Sequence, residues 1–264
     1  MIVKATKIDL GRAVVASTAN HGGGRWPGDT DGITRPYLAV PYRFGENPDM
    51  TPEMHTPDER DIIRVSMNKA SNEYMNGCIQ FVDDSETQAH ESYIEIFNGD
   101  ACNSALGWSY PYDNGMNLSP EGNPSCLNPS TIQHEFLHAL GVLHEQVRPD
   151  RDDYIDIHED NIDGGMISQY EKMPLNTWMD SNSPYDKISV MHYSGSGYAK
   201  GKSPMTDKVT GEAVQSPDRP RMSSEDAFQL AAMYGSFCPA LPQRACDDGQ
   251  RYLKNFAWYC IFRF

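Results

Sequence analysis

No run in this 264-residue sequence stays apolar long enough to cross a membrane as a helix. Basic residues are scarce: 22 Lys and Arg stand against 37 Asp and Glu, a formal net charge of -15, and the cations are scattered. A phosphate backbone needs a clustered basic footprint, so this balance argues against a nucleic-acid partner. No internal repeat is visible. The opening MIVKATKIDLGRAVVAS lacks the charged start and continuous apolar core of a secretory signal, so any natural leader is expected to be absent from this sequence. None of the cysteines at 78, 102, 126, 238, 246 and 260 adjoins the histidine-rich segment, which removes sulfur from any metal chemistry there. Six cysteines, an even number, fit an oxidising, extracellular setting, and the sequence leaves their pairing open.

What the chain does have is concentrated between His134 and Tyr154, which reads HEFLHALGVLHEQVRPDRDDY. His134 and His138 are four apart, so a helix places both imidazoles on one face, one turn from each other. Gly141 can take the left-handed conformation that ends a helix, which lets the chain double back and bring in His144. Three neutral imidazoles with an open fourth position describe a catalytic Zn2+ site, one ion per chain. Glu135, beside the first ligand, is the candidate general base for a zinc-bound water. Met191 lies in SVMHYSG, which looks like the methionine turn that accompanies this histidine pattern in metzincins.

Around this motif, 39% hydrophobic content is enough for a real core. Residues 1–24, ending in HGGG, read as a leader or pro-segment remnant. YLAVPYRF at 37–44, CIQFV at 78–82 and YIEIF at 93–97 read as strands. Thr56-Pro57-Asp58-Glu59 is a helix start with a capping box, and Ile62, Ile63, Val65, Met67, Ala70, Tyr74 and Met75 are its expected apolar face. Asn76-Gly77 stops that helix. Asn128-Pro129 caps the metal-binding helix, whose expected inner face is Ile132, Phe136, Leu137, Leu140 and Val142. Extended pieces are expected at 105–108 and 116–119, and a modest helical pattern at 166–170. The Ser-Ser-Glu-Asp box after Met222 starts a last helix with Ala227, Leu230, Ala231 and Tyr234 inward.

Over about residues 36–238 the chain resembles the astacin family of secreted zinc endopeptidases. The family signature continues past the third histidine as Glu145, Arg148, Asp150, Arg151, Asp152 and Tyr154, and its methionine turn is met by Ser189, Met191, His192 and Tyr193. By this resemblance Tyr193 is an additional, movable zinc ligand that swings off to stabilise the oxyanion. Glu145 is implied to be structural and to meet the mature amino terminus. The implied disulfides are Cys78 with Cys238 and Cys102 with Cys126, with Cys246 and Cys260 left to each other. Trp26-Pro27-Gly28-Asp29 looks similar to the family's pro-segment Phe-x-Gly-Asp, although Arg25-Trp26-Pro27 suits the start of the mature domain better.

The resulting expectation is an α+β, metzincin-type two-lobed protease domain over 25–238. It has a twisted N-terminal sheet with two helices, a cleft near 141–144 with zinc at its floor, and a loop-rich C-terminal lobe with a final helix. Residues 239–264 form a tail. The chain is read as a secreted monomer that hydrolyses proteins or peptides laid out along the cleft edge near 106–108, with Glu135 and Tyr193 catalytic. A latent zymogen with residues 1–30 in the cleft, or a catalytically silent binding or matrix protein, stands as the alternative.

Overall fold

A computed structural model describes residue 26 and residues 37–45, 55–109, 114–121, 125–174, 183–195, 198–214 and 222–234, with the backbone of strands at 251–254 and 257–260. The expected leader at 1–24, Asp29, Cys238, and the Cys246–Cys260 bridge of the tail fall outside the described residues.

Strand β1 (Leu38–Phe44) lies inside a five-stranded sheet of order β2-β1-β3-β5-β4, formed with β2 (Ile79–Asp83), β3 (Ile94–Phe97), β4 (Cys102–Ser104) and β5 (Asn114–Leu118). Three of the sheet's pairings are parallel, and only the edge strand β4 runs antiparallel, to β5. Parallel strands need crossover connections, which explains the long helix between β1 and β2. That helix, α1 (Pro57–Tyr74), starts as the sequence requires: Thr56 Oγ1 accepts from the Glu59 N–H, and Glu59 Oε2 accepts from the Thr56 N–H at 2.7 Å. Asn76 and Gly77, at φ 50 and 69, reverse the chain directly into β2. Ile63, Met67 and Ala70, spaced four and three apart, face the core. The expected face is too wide: Ile62 and Val65 are 43% and 64% exposed, because each sits well off that stripe at about 100° per residue.

Helix α2 (Pro129–Ala139) packs beside α1 and is capped by Asn128, whose Oδ1 accepts from the Thr131 N–H at 3.0 Å. Ile132, Phe136, Leu137, Leu140 and Val142 are all buried, in one cluster with the sheet residues Val40, Ile79, Ile94, Ile96, Met116 and Leu118. The edge strand differs from expectation. The register with β5 covers Cys102–Ser104, the Ala105 N–H reaches Gly115 O, and Leu106 and Gly107 belong to no described strand. Gly107, at φ 65, turns its N–H to His138 O at 2.8 Å instead of to a neighbouring strand. A Cys102–Cys126 disulfide ties this edge to the approach of α2, and Cys78 is also disulfide-bonded.

The described residues between 145 and 214 are built differently, from short 3-10 turns and a two-stranded sheet, β6 (Ile155–Ile157) with β7 (Met205–Asp207). The helical pattern expected at 166–170 is a 3-10 helix, Gly164–Tyr170. Ile155, Ile162, Tyr170, Tyr185, Met205 and Val214 make a second, smaller cluster. Helix α3 (Ser224–Tyr234) follows in sequence but packs elsewhere: Leu230, Met233 and Tyr234 belong to the first cluster. The α+β architecture therefore has two cores, with the last helix reaching back across to the first.

Candidate metal centre

His134 and His138 project from one face of α2. The helix ends in a Schellman arrangement, with Gly141 at φ 96, its N–H on His138 O and the Val142 N–H on Leu137 O. A Cβ on Gly141 would also lie 3.2 Å from Met233 Cε, so both conformation and space favour glycine. The turn delivers His144, and the three Nε2 atoms converge: 3.0 Å from His138 to His144 and 3.2 Å from His144 to His134. These are the only three such side chains among the described residues whose ligand atoms cluster this way.

The backbone sets the tautomers of two rings. A carbonyl only accepts, so His134 Nδ1–H donates to Val190 O at 2.8 Å and His138 Nδ1–H donates to Val142 O at 2.7 Å. Their Nε2 atoms are then bare lone pairs. Burial lowers the pKa of all three rings, His138 to about 3, and keeps them neutral; repulsion between the rings adds to the lowering at His138 and His144. A single N–H on His144 can serve only one bare neighbour well, whereas a cation satisfies all three. The donor set and its close spacing suit a zinc ion held by three nitrogens at about 2 Å.

Glu135 sits next to this triad and is buried, with Oε2 lacking any partner among the described residues. Burial pushes its carboxyl up to about 8. The methionine turn closes the floor: Met191 is fully buried, and its carbonyl accepts from the Glu145 N–H at 2.9 Å. Tyr193 packs its ring 4.4 Å from the His144 ring, and its hydroxyl lies 3.5 Å from Gln169 Oε1. Burial first, and then the neighbouring Tyr198, raise the Tyr193 phenol well above its usual value. Glu145 faces away from the triad. Its Oε1 accepts from Arg148 at 2.8 Å and from the Asp186 N–H at 2.9 Å, and its Oε2 accepts from Gln229 at 3.2 Å.

The family model for the astacin peptidases matches residues 36–235. The chain belongs to the astacin family. It is 33% identical over 198 residues to zinc metalloproteinase nas-5 of Caenorhabditis elegans, covering 74% of this chain and 51% of that protein. It is 33% identical over 216 residues to Protein SpAN of Strongylocentrotus purpuratus, covering 80% of this chain and 31% of that one. Among solved structures it resembles high choriolytic enzyme 1, a hatching enzyme zinc-protease from the medaka fish Oryzias latipes, at a TM-score of 0.65 and 25% identity, over 81% of this chain and 94% of that one. This chain thus spans about a third to about half of the length of these two curated relatives.

The astacin signature beyond the third histidine forms a buried polar knot under the site. Arg148, 1% exposed, reaches Glu145, both oxygens of Asp150, Ser183 O and Pro184 O. Arg151 pairs with Asp152 and donates to Gln146 O and Tyr170 O. Three groups whose part in the site sequence reasoning missed, Asp226, Gln146 and Tyr185, complete the frame. Asp226, on α3, accepts from Ser189 Oγ at 2.5 Å and from the Val190 N–H at 3.0 Å, so the cap of the last helix also holds the methionine turn. Gln146 Oε1 accepts from the Tyr193 N–H at 3.1 Å. His192 Nδ1–H donates to Tyr193 O, while its Nε2 accepts from Tyr185 O–H at 2.8 Å. Only the Ser-x-x-Asp box hinted at Asp226, and no pattern marked Gln146 or Tyr185.

Proposed function

We propose that this chain is a zinc-dependent endopeptidase that works outside the cell. The observation that carries the reading is the meeting of three imidazole Nε2 atoms, two of them bare, beside a buried carboxyl group with an oxygen that lacks a partner among the described residues. The relatives named zinc metalloproteinase and zinc-protease support the same ion and reaction here. His134, His138 and His144 would hold the zinc, which when bound polarises a peptide carbonyl and makes water nucleophilic at neutral pH.

The remaining work falls to side chains. Glu135, raised by burial, takes a proton from the attacking water and passes it to the departing amine. With a cation held by the three histidines, that carboxyl would be lowered again toward neutral pH, where Glu135 could both take and return the proton. Tyr193 would serve as a further, movable ligand and would donate a hydrogen bond to the oxyanion as charge develops there. An extended peptide pairs with the open side of β4, whose other side is occupied by β5. Met191 and Glu145 support the floor without touching substrate. The Cys102–Cys126 bridge supports an oxidising, extracellular location. No described helix is long and apolar enough to cross a membrane.

Glu135→Gln tests the reading. The variant should bind one equivalent of zinc, melt like the parent and cleave a protein substrate at least ~10³-fold more slowly, the range expected for losing a general base together with its charge. Undiminished cleavage by that variant, or by protein stripped of zinc, overturns it.

A further inference from the structure

Tyr193 is fixed at its backbone by hydrogen bonds, whereas its ring meets side chains. Gln146 Oε1 holds its N–H and His192 holds its carbonyl, with Tyr185 in turn holding His192. Whatever Tyr193 does must therefore come from side-chain rotation, and the groups around the hydroxyl decide where it rests. In the structure that hydroxyl points toward Gln169 Oε1, and its ring lies 5.6 Å from the Tyr198 ring and 5.7 Å from the Tyr170 ring.

Tyr198 stands out among these neighbours. It is 47% exposed and has φ +54, a conformation that a bulky residue keeps only when its surroundings impose it. The imposition is visible. Tyr198 O accepts from the Asp163 N–H at 3.0 Å, Ala199 bridges to Ile162, and the Lys200 N–H donates to Asn161 O at 2.8 Å. These bonds fasten Tyr198 to the segment that runs into the 3-10 helix carrying Gln169 and Tyr170. The result is a bay made by Gln169, Tyr170 and the half-exposed Tyr198 around the Tyr193 phenol, whose ring also stays against the His144 ring.

We propose that Tyr198 is a positioning residue that holds the Tyr193 phenol in this bay and so sets the balance between its position at the metal and its position toward substrate. The proposal rests on the reading of Tyr193 as a movable ligand. A packed aromatic of purely structural value would be buried and unstrained, and Tyr198 is neither.

The test uses the copper(II)-loaded protein, in which a tyrosine on the metal gives a phenolate-to-copper absorption in the visible range, alongside steady-state kinetics of the zinc form on a peptide. Tyr198→Phe keeps the ring and removes the hydroxyl. The Tyr198 hydroxyl is a hydrogen-bond partner of the Tyr193 phenol, so the variant should strengthen the copper absorption and lower kcat about three- to tenfold with KM within about twofold, the loss of that one bond to the moving group. In a Tyr193→Phe background the same substitution should change neither quantity. Tyr198→Leu, which also removes the ring wall, should act in the same direction and further. Wild-type absorption and wild-type kcat in both Tyr198 variants overturn the proposal while leaving Tyr193 as assigned. An absorption missing from the parent protein, or unchanged by Tyr193→Phe, overturns the assignment of Tyr193 itself and the proposal with it.

Discussion

The sheet-bearing region and the region from 145 to 214 meet at the histidines but are held together by different forces. In the first, strands and capped helices bury a continuous apolar cluster, most of whose members are Val, Ile, Leu, Met or Phe. In the second, the apolar cluster is small, and the chain is shaped by side chains bonding to backbone: Arg148 to Ser183 O and Pro184 O, Arg151 to Gln146 O and Tyr170 O. A stripe of apolar residues tolerates loss by degrees. A buried charge does not, because removing one partner strands the other in a poorly solvating interior.

The sharpest way to break this contrast is Arg148→Met. Glu145, 1% exposed, would keep its carboxyl without a cation, and destabilisation of about 3–5 kcal/mol is expected from the urea midpoint. A cost no greater than that of trimming a surface side chain would mean the polar knot is dispensable.

A second experiment asks whether the first region also relies on charge at one point. Asp84 is fully buried there. Burial acts to raise its carboxyl, yet hydrogen bonds from Thr87, Arg43, the Ala89 N–H and His90 outweigh it and hold the group far below the usual carboxylate range. Since the folded form binds the proton later than the unfolded one, the stabilisation is complete above about pH 5 and drains away as pH falls through the unfolded value toward the folded one. Asp84→Asn should cost about 2 kcal/mol at neutral pH. It should also flatten the fall in stability of the parent between about pH 5 and 2, measured as denaturation midpoints across that range. Parallel curves for the two proteins would remove Asp84 from the account.

The smallest effect is reserved for a local signal. Thr56→Ala breaks the capping box of α1 and should lower stability by about 1 kcal/mol, with no change in zinc content. A larger loss would indicate that Thr56 does more than start a helix.

Much of this was legible from residue order. The starts of α1 and α2, the stop at Asn76-Gly77 and the turn at Gly141 each rest on interactions within a few residues, and the strands at 38–44, 79–83 and 94–97 show as apolar, β-branched or aromatic runs although their pairing is long-range. The flank of α1 was not, because Ile62 and Val65 are apolar yet face solvent, and periodicity alone gives no account of how wide a stripe the neighbours cover. The edge strand lies earlier than residue order suggests because a bond from Gly107 to His138 O, which no local pattern announces, ends its pairing.

The sequence alone determined the three histidines and their spacing, the adjacent glutamate, and the family, because helix pitch and a glycine turn convert those offsets into a common point. Tertiary structure alone decided what surrounds that point. The proton positions on His134 and His138 depend on Val190 O and Val142 O, the methionine turn depends on Asp226 from the last helix, and the setting of Tyr193 depends on Gln146 and Tyr198. These partners, other than Val142, lie many residues away in the chain or belong to a turn with no periodicity. Only folding brings a donor and its acceptor close enough for burial to make the bond matter.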